Sequence, residues 1–114
     1  MKWMKHHMKA QSLAEMAELV IKHSPLEGVE LYRLAAQEEF KASEALNSEP
    51  LPRTRAIVTV STVALALKAE DSVYFDDVAR HAMSYFTGLP QWARNEVTEM
   101  IAAAGVKWKR SFAV

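Results

Sequence analysis

From Ala56 to Leu67 the chain reads AIVTVSTVALAL, twelve residues without a charge between Arg55 and Lys68. A run this apolar is expected to be shielded from water over most of its surface. Read as a strand, it sets Ile57, Thr59, Ser61 and Val63 against Val58, Val60, Thr62 and Ala64, which is poor alternation, and no other run offers a partner strand. A lone buried strand would leave its ladder groups unsatisfied. Read as a helix from Pro52 to about Ala69, it places Val60, Val63, Ala64 and Leu67 at i, i+3, i+4 and i+7. Burial can override the modest helix penalty of valine and threonine. The pattern predicts a slim central helix packed on several sides.

The flanking segments show the same period. Ser12-Leu-Ala-Glu15 has the form of a capping box, and Leu13, Met16, Ala17 and Val20 follow on one helical face, so a first helix is expected from Ser12 to near His23. Ser24-Pro-Leu-Glu27 repeats the cap with Pro25 at the first helical position. The second helix runs to about Leu46, with Val29, Tyr32, Ala36, Phe40 and Ala42 or Ser43 inward and the glutamates mostly on the other side. Gly28, in its first turn, is a local weakness. Asn47-Ser-Glu-Pro-Leu-Pro52 is a short connection between helical pairs. Asp71 or Ser72 caps a fourth helix with the stripe Phe75, Val78, Ala79, Ala82 and Phe86, and Gly88 is placed to end it in the left-handed conformation. Pro90 starts a fifth helix through Trp92, Ala93, Val97, Met100, Ile101 and Ala104, closed by Gly105.

Short connections force antiparallel neighbours, so the expected fold is all-α: five helices as stacked hairpins or a compact bundle. The 114 residues fit one domain, 1–114, with a basic N-terminal extension over 1–11 and a basic tail over 106–114. Three glycines and four prolines are too few for a many-stranded sandwich. The lack of cysteine excludes a disulfide scaffold, a thiolate zinc site and a cysteine nucleophile. The central run is too short, and too interrupted by Thr59, Ser61 and Thr62, to cross a bilayer. The N-terminus lacks the apolar core of a signal peptide, which makes the cytoplasm the expected location.

Net charge is zero but segregated. Lys2, Lys5 and Lys9 open the chain, eight glutamates fall within 11–50, and Lys107, Lys109 and Arg110 close it. Solvated faces and tails are the ordinary meaning of that pattern, and an acidic or nucleic-acid partner is the functional one.

From the second helix onward the residues Tyr32-Arg-Leu-Ala-Ala-Gln-Glu-Glu-Phe-Lys-Ala-Ser-Glu-Ala-Leu46, Pro52-Arg-Thr54, Val60-Ser61, Ala64-Leu65, Lys68-Ala69 and Leu89-Pro90 stand out together. This stretch resembles a family of small bacterial helical proteins related to tetratricopeptide (TPR) repeats, with Ala64–Phe86 similar to one helix–turn–helix unit. Two departures are plain: Glu70-Asp71-Ser-Val-Tyr-Phe75 is longer than the usual turn, with Glu70 where glycine is normal, and no second unit repeats at the family's period. The resemblance implies a TPR-like fold and a binding surface. It carries no catalytic residues.

Candidate chemistry is sparse. His6-His7 reads as two exposed histidines in a basic terminus, because no helical spacing places a third ligand, so no metal site is expected. Asp76, Asp77, Arg80 and His81 form i, i+4 pairs that suit either proton transfer or ordinary helix ion pairing. Arg53 and Arg55 oppose the dipole at a helix start and so need a partner: an acid such as Glu44 or Glu49, or an anionic ligand at the mouth of a groove. Lys2, Trp3 and Lys5, with Lys107, Trp108, Lys109 and Arg110, interleave aromatic and basic residues in a form usable on nucleic acid or an anionic membrane surface. No phosphate loop, nucleophile elbow or zincin motif is present. The expectation is a non-enzymatic helical protein without cofactor that binds a protein partner, or itself, at Arg53 and Arg55; nucleic-acid binding through the termini is the second reading.

Overall fold

The computed structural model describes residues 2–109. Within them the chain is all-α: α1 (Lys2–Val20), α2 (Pro25–Ala45), α3 (Pro52–Lys68), α4 (Ser72–Ser84) and α5 (Gln91–Lys107), with 3₁₀ turns at Leu46–Ser48 and Phe86–Gly88. The extents are 41 × 38 × 19 Å, and the thin dimension fits two helix layers. Arg110 and the rest of 110–114 lie outside the described residues.

The uncharged run is helical and central. α3 packs against α2, α4 and α5, and no residue from Val58 to Leu67 is exposed. Its two buried hydroxyls have partners inside: Thr62 Oγ1 donates to the Val58 carbonyl at 2.8 Å, and Ser43 Oγ lies 3.5 Å from Thr59 Oγ1. Around α3 the main core joins Ala36, Val63, Ala66, Phe75, Val78, Ala82, Val97 and Ala104.

Three expected helix ends are corrected. Ser12 caps nothing: α1 runs unbroken from Lys2, so residues 2–11 are no loose extension. Its first turns are held by tertiary contact, with Trp3 packing on Ala42, Leu46 and Val58 and Ala10 fully buried, and this overrides the local capping signal. Gly88 is not left-handed, because a 3₁₀ turn already redirects the chain there. Helix α5 passes through Gly105 and ends at Lys107. Asp71 is a genuine cap, its carboxylate accepting from Tyr74 N at 3.0 Å, whereas Ser24 makes no side-chain cap bond. The left-handed residue that ends α3 is Glu70, at φ 56°.

The glutamates do not all face water. Glu38 and Glu39 are buried on α2, and His6 and His7 on α1 are half-buried against them, which corrects the exposed, unattached histidines expected of a basic terminus. His6 Nδ1 lies 2.7 Å from Glu38 Oε2, and His7 Nδ1 lies 2.8 Å from Glu39 Oε1. Burial pushes the Glu38 carboxyl up, but hydrogen bonds from His6 and Lys9 and the charges of Lys41 and Lys9 outweigh it and hold it below the ordinary glutamate value. A depressed folded value means that this stabilisation is complete above the unfolded glutamate range and is lost as pH falls through the folded value. Glu38→Gln should therefore flatten the acid limb of stability against pH, measured by urea midpoints at successive pH values.

Candidate functional site

Helices α3 and α5 begin at the same end of the molecule. Ala56, near the start of α3, packs with Leu89 and Ala93, at the start of α5, and with Tyr85 beside them. The 3₁₀ turn Phe86–Gly88 bridges α4 to this junction. Neither α3 nor α5 has a side-chain cap, since their N-cap positions are Leu51 and Pro90. Their first N–H groups and positive dipole ends therefore share one end of the fold.

Three arginines meet the segment from Tyr85 to Trp92. The Arg55 guanidinium lies 4.1 Å over the Tyr85 ring, and that of Arg94 lies 5.9 Å over Phe86. Arg53 lines a cavity of about 470 Å³ with Pro52, Gly88, Leu89, Pro90 and Trp92. Trp92 leaves 45% of its surface exposed. Among the described residues no ion pair includes Arg53, Arg55 or Arg94. The acid partners that the sequence offers, Glu44 and Glu49, are thus not used. Contact with the Tyr85 ring accounts for the position of Arg55 without neutralising its charge. The Nε atoms of Arg55 and Arg94 are covered and have no hydrogen-bond partner, as expected where the guanidinium lies against a ring.

The stack continues inward. Asn47 Nδ2 donates to Tyr85 Oη at 2.6 Å, His81 sits 5.0 Å from Tyr85, edge to face, and Phe40 lies 4.3 Å from His81. Burial lowers the His81 pKa below the ordinary value; Arg55 adds to this and Glu44 opposes it. His81 is therefore a neutral ring at neutral pH. Phe40 also lines a groove of about 370 Å³ between α2 and α4, with Tyr74, Val78, Glu44 and Asp77 among its walls.

The remaining sequence candidates are dispersed. Asp77 pairs with Arg80 at 3.2 Å rather than with His81, whose ring is turned inward. Lys107 pairs with Glu70 at 2.9 Å, and Trp108 packs on Phe75 with ring centres 5.6 Å apart. Trp3 packs near the start of α3 and Lys107 reaches Glu70 beyond its end, so these two residues sit toward opposite ends of that helix. Lys2, Lys5 and Lys109 are exposed. Arg94 and Trp92 join Arg53 and Arg55 with no motif to mark them; their only signal is a third helix-start arginine in Pro90-Gln-Trp-Ala-Arg94. Among the described residues no His, Asp and Glu side chains gather to hold a metal ion, and no helix is long and apolar enough to cross a membrane. Comparison with protein-family models, curated proteins and solved structures returns no match for this chain.

Proposed function

We propose that the protein is a non-enzymatic, TPR-like interaction module that takes an acidic segment of a protein partner, or of a second copy, at the end built from Arg53, Arg55, Arg94 and Trp92. One observation carries the reading: three arginines beside two uncapped helix starts have no acidic partner among the described residues. Placing positive charge at a helix start costs stability, and an anionic ligand reverses that cost. The half-exposed indole of Trp92 adds apolar area beside the charge, the combination that concentrates binding energy in protein interfaces. Sequential packing of α1 on α2 and of α2 on α3, across short connections, supports the TPR-like description. Two features favour a binding role over a reaction: Asp77 is tied to Arg80, and His81 faces rings. The packed indoles of Trp3 and Trp108 tell against base stacking at the termini.

The test is affinity capture from the native lysate, then calorimetry with the captured partner, with light scattering for self-association. Arg53→Glu combined with Arg94→Glu should weaken binding about tenfold or more, and added salt should weaken the wild type. Helix content by circular dichroism should stay unchanged. A partner bound equally well by the double variant overturns the reading, as does a monomeric protein that captures nothing.

A further inference from the structure

Helix α1 docks through an apolar seam, with Trp3 against Ala42, Leu46 and Val58 and with Ala14 and Ala17 against Tyr32 and Ala69. Its fully buried residues are the small Ala10 and Ala17. The polar part of the interface is more elaborate. His6 meets Glu38 at 2.7 Å; His7 meets both oxygens of Glu39, at 2.8 and 3.1 Å.

The two acids are not equivalent. Glu38 also faces Lys9 at 3.2 Å and Lys41 at 3.7 Å, so it keeps cations when His6 is neutral. Glu39 is 1% exposed, and its one ion-pair partner among the described residues is His7. It lies one turn from Ala35 and Ala36 on one side and from Ala42 and Ser43 on the other, all buried, at the centre of the inward face of α2. Ala36 packs with Val63, and Ser43 reaches Thr59, so the part of α3 facing Glu39 is the stretch from Thr59 to Val63. That stretch belongs to the uncharged run, and α3 has no titratable group between Arg55 and Lys68. On α1 the other cations are Lys2, Lys5 and Lys9; the first two are exposed and Lys9 is engaged by Glu38. The Trp3 ring, 6.0 Å from that of His7, adds no charge.

We propose that His7 and Glu39 form a protonation-set clasp that locks α1 onto α2 while His7 is charged and loosens it when His7 is neutral. With the imidazole protonated, a buried carboxylate faces an adjacent cation. With the imidazole neutral, the same carboxylate is buried with a hydrogen bond but no counter-charge, and burying an unpaired charge is strongly unfavourable. Lifting α1 returns the carboxylate to water, whereas α2 and α3 are both part of the main core. The device responds as pH rises through the imidazole range, and it acts independently of the arginine end.

Hydrogen exchange on the full chain tests this, read by mass spectrometry on α1 and α5 peptides and corrected for the intrinsic rate at each pH. Between about pH 5.5 and about pH 8.5, the protection of α1 relative to α5 should fall about tenfold or more. Glu39→Gln removes the buried charge and should abolish the step. His6→Gln should retain it, since Lys9 and Lys41 still face Glu38. The His7 imidazole resonances, followed by NMR in the wild type, should titrate over the same pH interval as the step. A wild-type change below about twofold, a step kept in Glu39→Gln, or a His7 titration outside the interval each overturns the proposal.

Discussion

Replacing Gly28 with alanine should destabilise the protein by about 2 kcal/mol, although alanine is the better helix former. A Cβ at this position would lie 2.5 Å from Ile21 Cβ, 2.6 Å from Ile21 Cα and 2.8 Å from Ile21 Cγ1. The helix interior gains about 1 kcal/mol from losing glycine, whereas overpacking a tight contact costs about 1–3 kcal/mol and sometimes more. Here the higher end applies, because one of the colliding atoms is backbone and no rotamer change can move it. Relief requires the turn between α1 and α2 to open. Urea unfolding checks the sign: an unchanged or higher midpoint would show that α1 does not approach α2 this closely. Truncating Ile21 to alanine in the same chain should restore little, since its Cα and Cβ remain.

Phe75→Ala should cost roughly 3–5 kcal/mol, the usual range for emptying a buried aromatic site. Phe75 is 0% exposed and belongs to the core that joins α2, α3, α4 and α5. Its ring also carries Trp108, 5.6 Å away, so the loss should extend to the end of α5. For a domain of this size the melting temperature should fall by roughly 10 °C or more. A loss below about 1 kcal/mol would mean that the site collapses without a cavity, contrary to close packing of this core. Because Phe75 anchors the start of α4 and Tyr85 follows its end, the variant should also weaken any ligand held at Arg55.

Much of the fold is legible along the chain. The uncharged run, the proline at the start of α2, the Asp71 cap and the apolar stripe of α4 each follow from local rules that do not depend on distant residues. Where local rules compete with contact, contact wins. Ser12 has the capping signal, yet Trp3, His6, His7 and Ala10 find partners on α2 and carry α1 back to Lys2. Gly88 has the residue type of a left-handed cap, yet Glu70 adopts that conformation instead. Gly28 resembles a weakness until Ile21 is placed against it.

The candidate site is legible only in part. Arg53 and Arg55 stand out because charge at a helix start is locally unfavourable, which is a sequence-level anomaly. Arg94 and Trp92 do not stand out, because their membership depends on the start of α5 meeting the start of α3. Glu39 carried a signal that is visible in retrospect: it falls three residues after Ala36 and seven after Tyr32, a charge on an apolar stripe, which requires a partner from elsewhere. Nothing local identifies that partner as His7, thirty-two residues earlier.

By itself, then, the order of residues determined that the chain forms five helices, though not where α1 begins, that the stretch from Val58 to Leu67 lies inside, and that nothing charged is available there. Periodicity and capping act over one or two turns, and that is the range at which a sequence can be read directly. Tertiary structure alone decided which charges meet. Among the described residues it left three arginines without an acidic partner at one end and set a buried glutamate against a single histidine, because pairing across helices depends on their packing, which no short-range pattern encodes.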